Sequence, residues 1–395
     1  MACILFTWEM GANLGHITRD LPLAHACLEM GHDVIWAVVP DGRPLTPFED
    51  KRFIVAKVPA AKRGAGSSKP KNHAALLWAH GYSNQVDLMI AVKNWLEIFE
   101  LYSPDVIIYN HAPTALLAAR IVGLPVLVCG TGFEIPPRTP VLPSFTSEKT
   151  VRPLEQLQIE QKLLKSINQV LNDHGAVPLQ RLAQLYGSQA PLLTTLPELD
   201  PFGPRSEAEY IGPVYAFPKV AQITWLNPRR KHVLVYLHPS LPIALALLVA
   251  LDSMDAEVIC ACPGLPESWP AHYPRLRFYP GAVDLPPLLA SADVVVASGA
   301  GTVAVSLLAG VPVLLAPDVV EQYLTGLCVE RLGAGRVLRN SNAGSLGKEL
   351  AEILCNPRYK IAAQRLATRH KGQTQEQGLA KLTSRLQALL PAPSR

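Results

Sequence analysis

Residues 292–335 read ADVVVASGAGTVAVSLLAGVPVLLAPDVVEQYLTGLCVERLGAG. A short apolar run, Val294–Ala297, is followed by a glycine turn, a helical pattern and a second apolar run, Val313–Ala316. This order is typical of a parallel α/β unit, because a parallel strand covered on both faces is apolar throughout. The turn Ser298–Thr302 also brings backbone amides to the start of a helix, where the helix dipole favours phosphate oxygens.

Apolar runs alternate with helical patterns along both halves of the chain. The predicted strands are Cys3–Phe6, Asp33–Val39, Val106–Tyr109, Val126–Cys129, His232–Leu237, Glu257–Cys262 and Leu276–Tyr279, together with the two runs above. The predicted helices include Ile17–Met30, Ala74–Tyr102 and Thr114–Val122. This alternation predicts two doubly wound α/β domains, each with a parallel sheet.

A segment rich in proline and glycine separates the two halves. Tyr210–Pro218 reads YIGPVYAFP, which interrupts regular secondary structure and is the best candidate for a domain boundary. We therefore predict an N-terminal domain at 1–214 and a C-terminal domain at 215–375, followed by a C-terminal helix or tail at 376–395.

Composition narrows the class of protein. The chain has 395 residues, of which 49% are hydrophobic and 17% are charged, so it can form two or three packed domains and is not intrinsically disordered. The apolar run Leu241–Leu251 is too short to cross a bilayer. The first residues lack a basic leader and a cleavage site, so we expect a cytoplasmic protein. Seven cysteines without a CxxC pair favour reduced thiols over disulfides or structural zinc.

Charge favours a small anionic ligand over a nucleic acid. The net charge is only +4, and residues 216–395 hold 18 Lys and Arg against 12 Asp and Glu. A basic half suits a nucleotide diphosphate, although a solvated basic surface would have the same composition. We therefore expect no nucleic-acid partner.

The stretch at 292–335 resembles the donor-binding signature of GT-B glycosyltransferases of the macrolide and glycopeptide type. The family pattern is HGGxGT, then Gly-x-Pro, then Pro-x-x-x-(Asp/Glu)-Gln. It is met at matching spacing by Thr302, Gly310, Pro312, Pro317, Glu321 and Gln322. The histidine that opens the family's turn is replaced by Ala297, or by Ser298 if the turn is one residue shorter.

The resemblance assigns donor-binding roles in the second domain. It implies that a diphosphate binds at Ser298, Gly299, Ala300, Gly301 and Thr302, and that Glu321 and Gln322 bind sugar hydroxyls. The segment that begins at Gly281 is similar to the family's nucleobase site, which assigns the base to the backbone of Val283. Because the turn lacks its histidine, His238 is a candidate for an additional phosphate contact, or else an ordinary loop residue.

The resemblance also assigns catalytic residues in the first domain. The segment Gly11–Pro22, GANLGHITRDLP, resembles the family's opening, in which the histidine is the general base; here it is His16. In the family this histidine has an aspartate partner, and the corresponding residue here is Asn110. The amide of Asn110 can orient the imidazole but supplies no charge. Asp20, one helical turn from His16, is a candidate for that charge.

Three further residues of the first domain carry expectations about the site. His111, on a strand beside Asn110, is expected to point the opposite way. Asn13 and Phe133 are predicted to contact the acceptor, with loop packing as the alternative for Phe133.

The resemblance implies an α/β protein of the GT-B fold, with two Rossmann-like domains that face each other across a cleft. It implies an inverting, metal-independent glycosyltransferase of the hexosyltransferase type, with no cofactor. The partners would be a UDP- or dTDP-sugar donor and a small-molecule acceptor. The alternatives are a sugar-nucleotide epimerase on the same fold, or a nucleotide-sugar-binding homologue without full activity, because fold alone does not prove activity. The sequence leaves the oligomeric state open.

Overall fold

The structure is a computed structural model of the chain. It describes residues 1–11, 15–39, 50–60, 70–146, 153–187, 189–216, 220–339 and 342–391. The chain divides into two compact units. The first contains 1–197, 202–216 and 375–395, and the second contains 198–201 and 217–374. The C-terminal segment, which the sequence set apart as 376–395, thus belongs to the first unit.

The first unit is built on a seven-stranded parallel sheet. Its strands are β1 (Cys3–Trp8), β2 (Asp33–Val38), β3 (Ile54–Lys57), β4 (Val106–Asn110), β5 (Val126–Gly130), β6 (Leu192–Leu193) and β7 (Glu209–Tyr210). Their order in the sheet is β3-β2-β1-β4-β5-β6-β7. Side chains alternate between two buried layers along each strand: Leu5 and Ile107 lie in one, Phe6 and Ile108 in the other. Burial on both faces explains the continuous apolar runs.

Helices cover both faces of this sheet. They are α1 (Gly15–Glu29), α2 (His73–Leu77), α3 (Gln85–Tyr102), α4 (Pro113–Val122) and α5 (Pro153–Asp173), with a 3₁₀ turn at Leu182–Tyr186. The single helix predicted over Ala74–Tyr102 is wrong, because the turn Trp78–Tyr82 interrupts it. Gly81 in that turn has φ of +94°, which other residues rarely adopt, and Asn84 then caps α3.

The second unit contains a six-stranded parallel sheet. Its strands are β8 (Lys231–Tyr236), β9 (Ala256–Ala261), β10 (Leu276–Tyr279), β11 (Val294–Ala297), β12 (Val313–Leu315) and β13 (Gly335–Val337). Their order, β10-β9-β8-β11-β12-β13, is that of the Rossmann fold. The predicted α/β class with two parallel sheets is confirmed.

The remaining helices follow the same alternation. They are α6 (Ala244–Asp252), α7 (Trp269–His272), α8 (Leu285–Leu289), α9 (Ala300–Leu308), α10 (Val320–Leu332), α11 (Ala343–Cys355), α12 (Pro357–Arg369) and α13 (Gln375–Gln387), and a 3₁₀ turn lies at Pro197–Leu199. The last helix, α13, packs on α1 of the first unit. None of the helices in the described ranges combines the length and apolar character needed to cross a membrane.

Each sheet has a point where its strand order reverses. In the first unit it lies between β1, which ends at Trp8, and β4, which ends at Asn110. In the second unit it lies between β8, which ends at Tyr236, and β11, which ends at Ala297. Ligands of open α/β sheets bind beyond the carboxyl ends of strands at such points, so the residues that follow these four strands form the candidate sites.

Candidate functional site

The imidazole of His16 is held between two aromatic rings in the first unit. His16 lies in the first turn of α1 and its residue is only 8% exposed. Its ring stacks on Trp8 with centroids 5.6 Å apart, and on His111 with centroids 5.7 Å apart. The ring plane is therefore fixed by packing as well as by hydrogen bonds.

Two oxygen atoms face one nitrogen of this ring. His16 Nδ1 lies 2.9 Å from Asn110 Oδ1 and 3.1 Å from Glu134 Oε1. A carboxylate and an amide oxygen both accept hydrogen bonds, so the proton of a neutral His16 resides on Nδ1. Nε2 is then the basic atom of the ring.

The orientation of the Asn110 amide follows from its four contacts. Its Oδ1 accepts from Arg19 Nη2 at 2.6 Å as well as from His16. Its Nδ2 donates to the His16 carbonyl and to Asp20 Oδ2, both at 2.7 Å. Donors face the oxygen and acceptors face the nitrogen, so a flipped amide would lose all four bonds. Asp20 thus contacts Asn110, and burial raises the pKa of Asp20 although Arg19 opposes this shift.

Sequence reasoning missed Glu134, which supplies a carboxylate to this cluster. Glu134 follows β5 in the loop at 130–137 and is 1% exposed. Its Oε2 accepts from Arg19 Nη1 at 2.5 Å and from the Thr131 amide at 2.9 Å. Burial alone would raise the pKa of Glu134, but Arg19 and His16 outweigh burial and hold it well below its usual range. The one available signal was a lone acidic residue in an otherwise uncharged loop, GTGFEIPP.

The prediction that His111 points away from the site is wrong. Strand β4 ends at Asn110, and His111 has φ of +47°, which turns its side chain back toward His16. A positive φ is uncommon for a non-glycine residue, which is why strand alternation failed here. Burial lowers the pKa of His111 to about 3, so this ring is neutral at physiological pH.

Among the described residues, His16, His111 and Glu134 could present ligand atoms to one metal ion, since these atoms lie within 4.8 Å of one another. The guanidinium of Arg19 already binds Glu134, however, and would repel a cation placed beside it. The charge of Arg19 therefore disfavours a metal ion beside Glu134.

The two predicted acceptor contacts have different outcomes. Asn13 lies outside the described residues. Phe133 is 4% exposed and packs against His73, Phe145 and His111, with ring centroids 5.2, 5.0 and 6.2 Å apart. Its ring is thus part of a buried aromatic cluster, and the loop that carries it also carries Glu134.

In the second unit, the glycine turn lies at the start of α9 as predicted. Gly299 is the N-cap of α9 with φ of −78° and ψ of 137°, and the amides of Ala300, Gly301 and Thr302 open the first helical turn. Such amides have no acceptor within their own helix. The Ser298 hydroxyl donates to the Ala316 carbonyl at 2.5 Å, so its proton is already used. Main-chain amides are therefore the groups that this turn offers to an anion.

Neither packing nor backbone conformation within the described chain requires glycine in this turn. A Cβ added to Gly299 or Gly301 would meet no described atom within 4 Å, and neither residue has a positive φ. Glycine at Gly301, inside α9, costs helix stability relative to alanine. Glycine at these two positions leaves the backbone of the turn accessible to a group from outside the described chain.

Two further predicted donor residues, His238 and Val283, lie in loops that follow strands of the same sheet. His238 is exposed and follows β8, the neighbour of β11, and its Nδ1 lies 2.6 Å from Ser240 Oγ. Val283 is 2% exposed and forms a parallel bridge with Ala221. That bridge uses the peptide groups on either side of Val283, so its own N–H and C=O face the opposite way.

Glu321 and Gln322 lie in the first turn of α10. Gln322 is 6% exposed, and its Oε1 accepts from the amides of Asp318 and Val319 at 2.7 and 3.4 Å. This contact caps the helix, so the side-chain NH₂ is the part of Gln322 suited to a ligand oxygen. The carboxylate of Glu321, next in the chain, is half-buried.

No protein-family model matches the chain. Curated relatives do match nearly all of it. A PGL/p-HBAD biosynthesis glycosyltransferase of Mycobacterium tuberculosis is 26% identical, over 92% of this chain and 87% of its own length. A PGL/p-HBAD biosynthesis rhamnosyltransferase of Mycobacterium bovis is 27% identical, over 92% and 83%. The chain is therefore similar to glycosyltransferases along both units.

Solved structures agree in fold. The kitacinnamycin glycotransferase superimposes with a TM-score of 0.69 at 18% identity, covering 99% of each chain. The calicheamicin glycosyltransferase CalG4 gives 0.67 at 19%, covering 100% of this chain and 99% of its own. VinC, a glycosyltransferase in complex with dTDP, gives 0.62 at 17%, covering 97% and 100%. The chain therefore has the fold of solved GT-B glycosyltransferases, and its curated relatives over nearly its whole length are glycosyltransferases.

Proposed function

We propose that the chain is an inverting, metal-independent glycosyltransferase that moves a sugar from a nucleoside diphosphate to an acceptor hydroxyl. The observation that carries this proposal is the hydrogen bonding of His16 Nδ1 to two acceptors, which makes Nε2 the basic atom. A base with a fixed tautomer is suited to removing a hydroxyl proton near neutral pH.

The proposed reaction has one displacement step. His16 Nε2 takes the proton of the acceptor hydroxyl while the acceptor oxygen bonds to the anomeric carbon. The bond between that carbon and the diphosphate oxygen breaks, and its electron pair leaves with the nucleoside diphosphate. Attack from the face opposite to the leaving group inverts the anomeric centre.

The leaving group gains negative charge, and the proposal assigns its stabilisation to the second unit. Amides of Ala300, Gly301 and Thr302 donate to an anion without reorganising, because the helix already fixes their direction. His238 is an auxiliary donor in this scheme. Val283 binds the base through its backbone, and Glu321 and Gln322 bind sugar hydroxyls.

The comparisons support a class of donor. The dTDP in the VinC structure and the rhamnosyltransferase relative favour a hexose of the rhamnose type on a dTDP or UDP carrier. The natural-product names of the structural neighbours favour a small-molecule acceptor.

The test has a binding arm and a catalytic arm. Thermal shift with UDP, dTDP and their sugars identifies the carrier, since a ligand that binds the native state raises the melting temperature. Donor hydrolysis and transfer are then measured with His16→Ala and with His174→Ala, an exposed histidine of the same unit. We expect the first variant alone to lose turnover, and EDTA to leave the wild-type rate unchanged. Retained turnover in His16→Ala would refute the assigned base.

A further inference from the structure

We propose that Glu134, from the loop after β5, is the positioning residue that holds the proton of His16 on Nδ1 and stabilises its protonated ring. This inference rests on the proposed function of His16 as the base. The resemblance places the partner of this histidine at the end of β4, where this chain has an uncharged amide, Asn110. Glu134 comes from a different loop, yet its carboxylate oxygen lies 3.1 Å from the same nitrogen.

The charges around the ring are consistent with this role. The groups that face His16 from its surroundings are Arg19 and Asp20 of α1, His111 after β4, and Glu134. His111 is neutral, burial raises the pKa of Asp20, and Arg19 binds one oxygen of Glu134, so the carboxylate of Glu134 is the anion whose other oxygen faces the ring. When Nε2 accepts a proton from the acceptor hydroxyl, the positive imidazolium is attracted to that carboxylate.

The loop fixes Glu134 through several independent contacts. Tyr109 Oη donates to the Glu134 carbonyl at 2.9 Å, and the Thr131 amide donates to its side chain. Arg205, itself buried, donates to the carbonyls of Ile135 and Gly132 at 2.7 and 2.9 Å. A carboxylate held this way needs no rearrangement when the ring becomes charged.

Gly130 makes room for this carboxylate. A Cβ at residue 130 would lie 2.3 Å from Glu134 Oε2, closer than two such atoms can approach. The glycine at the end of β5 thus allows the acidic side chain to fold back over its own loop. The rival interpretation is that Glu134 only neutralises the buried Arg19, and a pH profile separates the two.

The experiment compares Glu134→Gln with Glu160→Gln, which removes another buried carboxylate of the same unit, one bonded to the Leu142 amide. We expect Glu134→Gln to lower kcat about 100-fold and to move the acidic limb of the kcat/KM profile at least about one pH unit lower, because the imidazolium loses its anion. Donor affinity, measured by thermal shift, should not change. Glu160→Gln should keep the wild-type profile. A wild-type profile in Glu134→Gln would overturn the inference.

A second measurement does not depend on the stability of the variants. Nitrogen-15 NMR of the wild-type protein reports which nitrogen of His16 carries the proton. We expect Nδ1–H in the neutral ring, and the opposite tautomer would overturn the inference. If His16→Ala instead retains turnover, the assigned base is wrong. If His16→Ala is inactive while Glu134→Gln keeps the wild-type profile, only the role of Glu134 fails.

Discussion

The imidazole of His16 lies directly against the backbone of Gly11. A Cβ built on Gly11 would come within 2.3 Å of His16 Nε2, and the residue adopts φ of +88°. Both facts require glycine, one for space and the other for backbone conformation. Glycine at position 11 therefore allows the ring of His16 to lie against the backbone that follows β1.

Gly11→Ala should lower turnover strongly while the protein still folds. Displacement of the ring by the new methyl group should cost about 100-fold in kcat, since small misplacements of catalytic groups have effects of this size. The matched control is Gly31→Ala, which has a similar φ of +80° but meets no described atom within 4 Å. Both variants should lose about 1 kcal/mol of stability from backbone strain. Equal activities in the two variants would contradict this interpretation.

Gly301→Ala should make the protein more stable and donor binding weaker. Alanine is a better helix former than glycine by up to about 1 kcal/mol, and the added methyl group meets no described atom within 4 Å. The same methyl group would obstruct a diphosphate that approaches the amides, so we expect at least about a tenfold loss of affinity for the nucleoside diphosphate.

The control for Gly301→Ala is Gly347→Ala in α11, another helical glycine beside open space among the described residues. It should gain helix stability and keep full affinity, as measured by denaturant unfolding and calorimetry. Unchanged affinity in Gly301→Ala would remove the glycine turn from the donor site.

The strands of the two sheets could be predicted because burial on both faces leaves an apolar run that is visible in sequence. Leu276–Tyr279 and Val294–Ala297 were predicted with their observed bounds, and most others differ by one or two residues at an end. Four strands of two to four residues were missed, because so few residues do not form a clear pattern: Ile54–Lys57, Leu192–Leu193, Glu209–Tyr210 and Gly335–Val337.

The candidate site was only partly predictable. His16 and Asn110 follow strands that sequence locates, and their contact at 2.9 Å agrees with their predicted pairing. Glu134 reaches the same ring from a loop 118 positions after His16 in the sequence, so its arrival depends on the order of β1, β4 and β5 in the sheet. His111 was misplaced because a single positive φ reverses the direction of its side chain.

Glu9 should make stability depend on pH near neutrality. Its carboxylate accepts from the amide and hydroxyl of Thr114 at 2.9 and 2.5 Å, yet burial raises its pKa to about 7. Between the unfolded value, about 4.3, and 7 the native state binds a proton that the unfolded state does not, so stability falls as pH rises through this window. Glu9→Gln should remove this loss.

The measurement is the melting temperature of wild-type protein and of Glu9→Gln from pH 4 to pH 8. The variant should gain a few degrees on the wild type across this range, and the difference should level off as the pH passes 7 and approaches 8. Since other groups titrate equally in both proteins, their comparison isolates Glu9. A difference that is constant with pH would contradict the raised pKa.

Asn110→Asp should be tolerated only together with Asp20→Asn. Asn110 Nδ2 donates to Asp20 Oδ2 at 2.7 Å, so an aspartate at 110 would place two carboxylate oxygens against each other inside the first unit. The single variant should lose about 3 kcal/mol of unfolding free energy, as buried charges do when they lack a partner. With Asp20→Asn, an amide at 20 donates to the new carboxylate and accepts from Arg19, which restores the bond between the two positions in reverse. The bond from position 110 to the His16 carbonyl stays lost, so the double variant recovers only part of the stability. A double-mutant cycle by denaturant unfolding should give a coupling of about 2 kcal/mol, whereas additive losses would show that the two positions do not compensate. Such coupling explains physically how this chain accepts an amide where the resemblance places an aspartate: Asp20 accepts a hydrogen bond from the amide nitrogen, and the amide oxygen then faces the ring of His16.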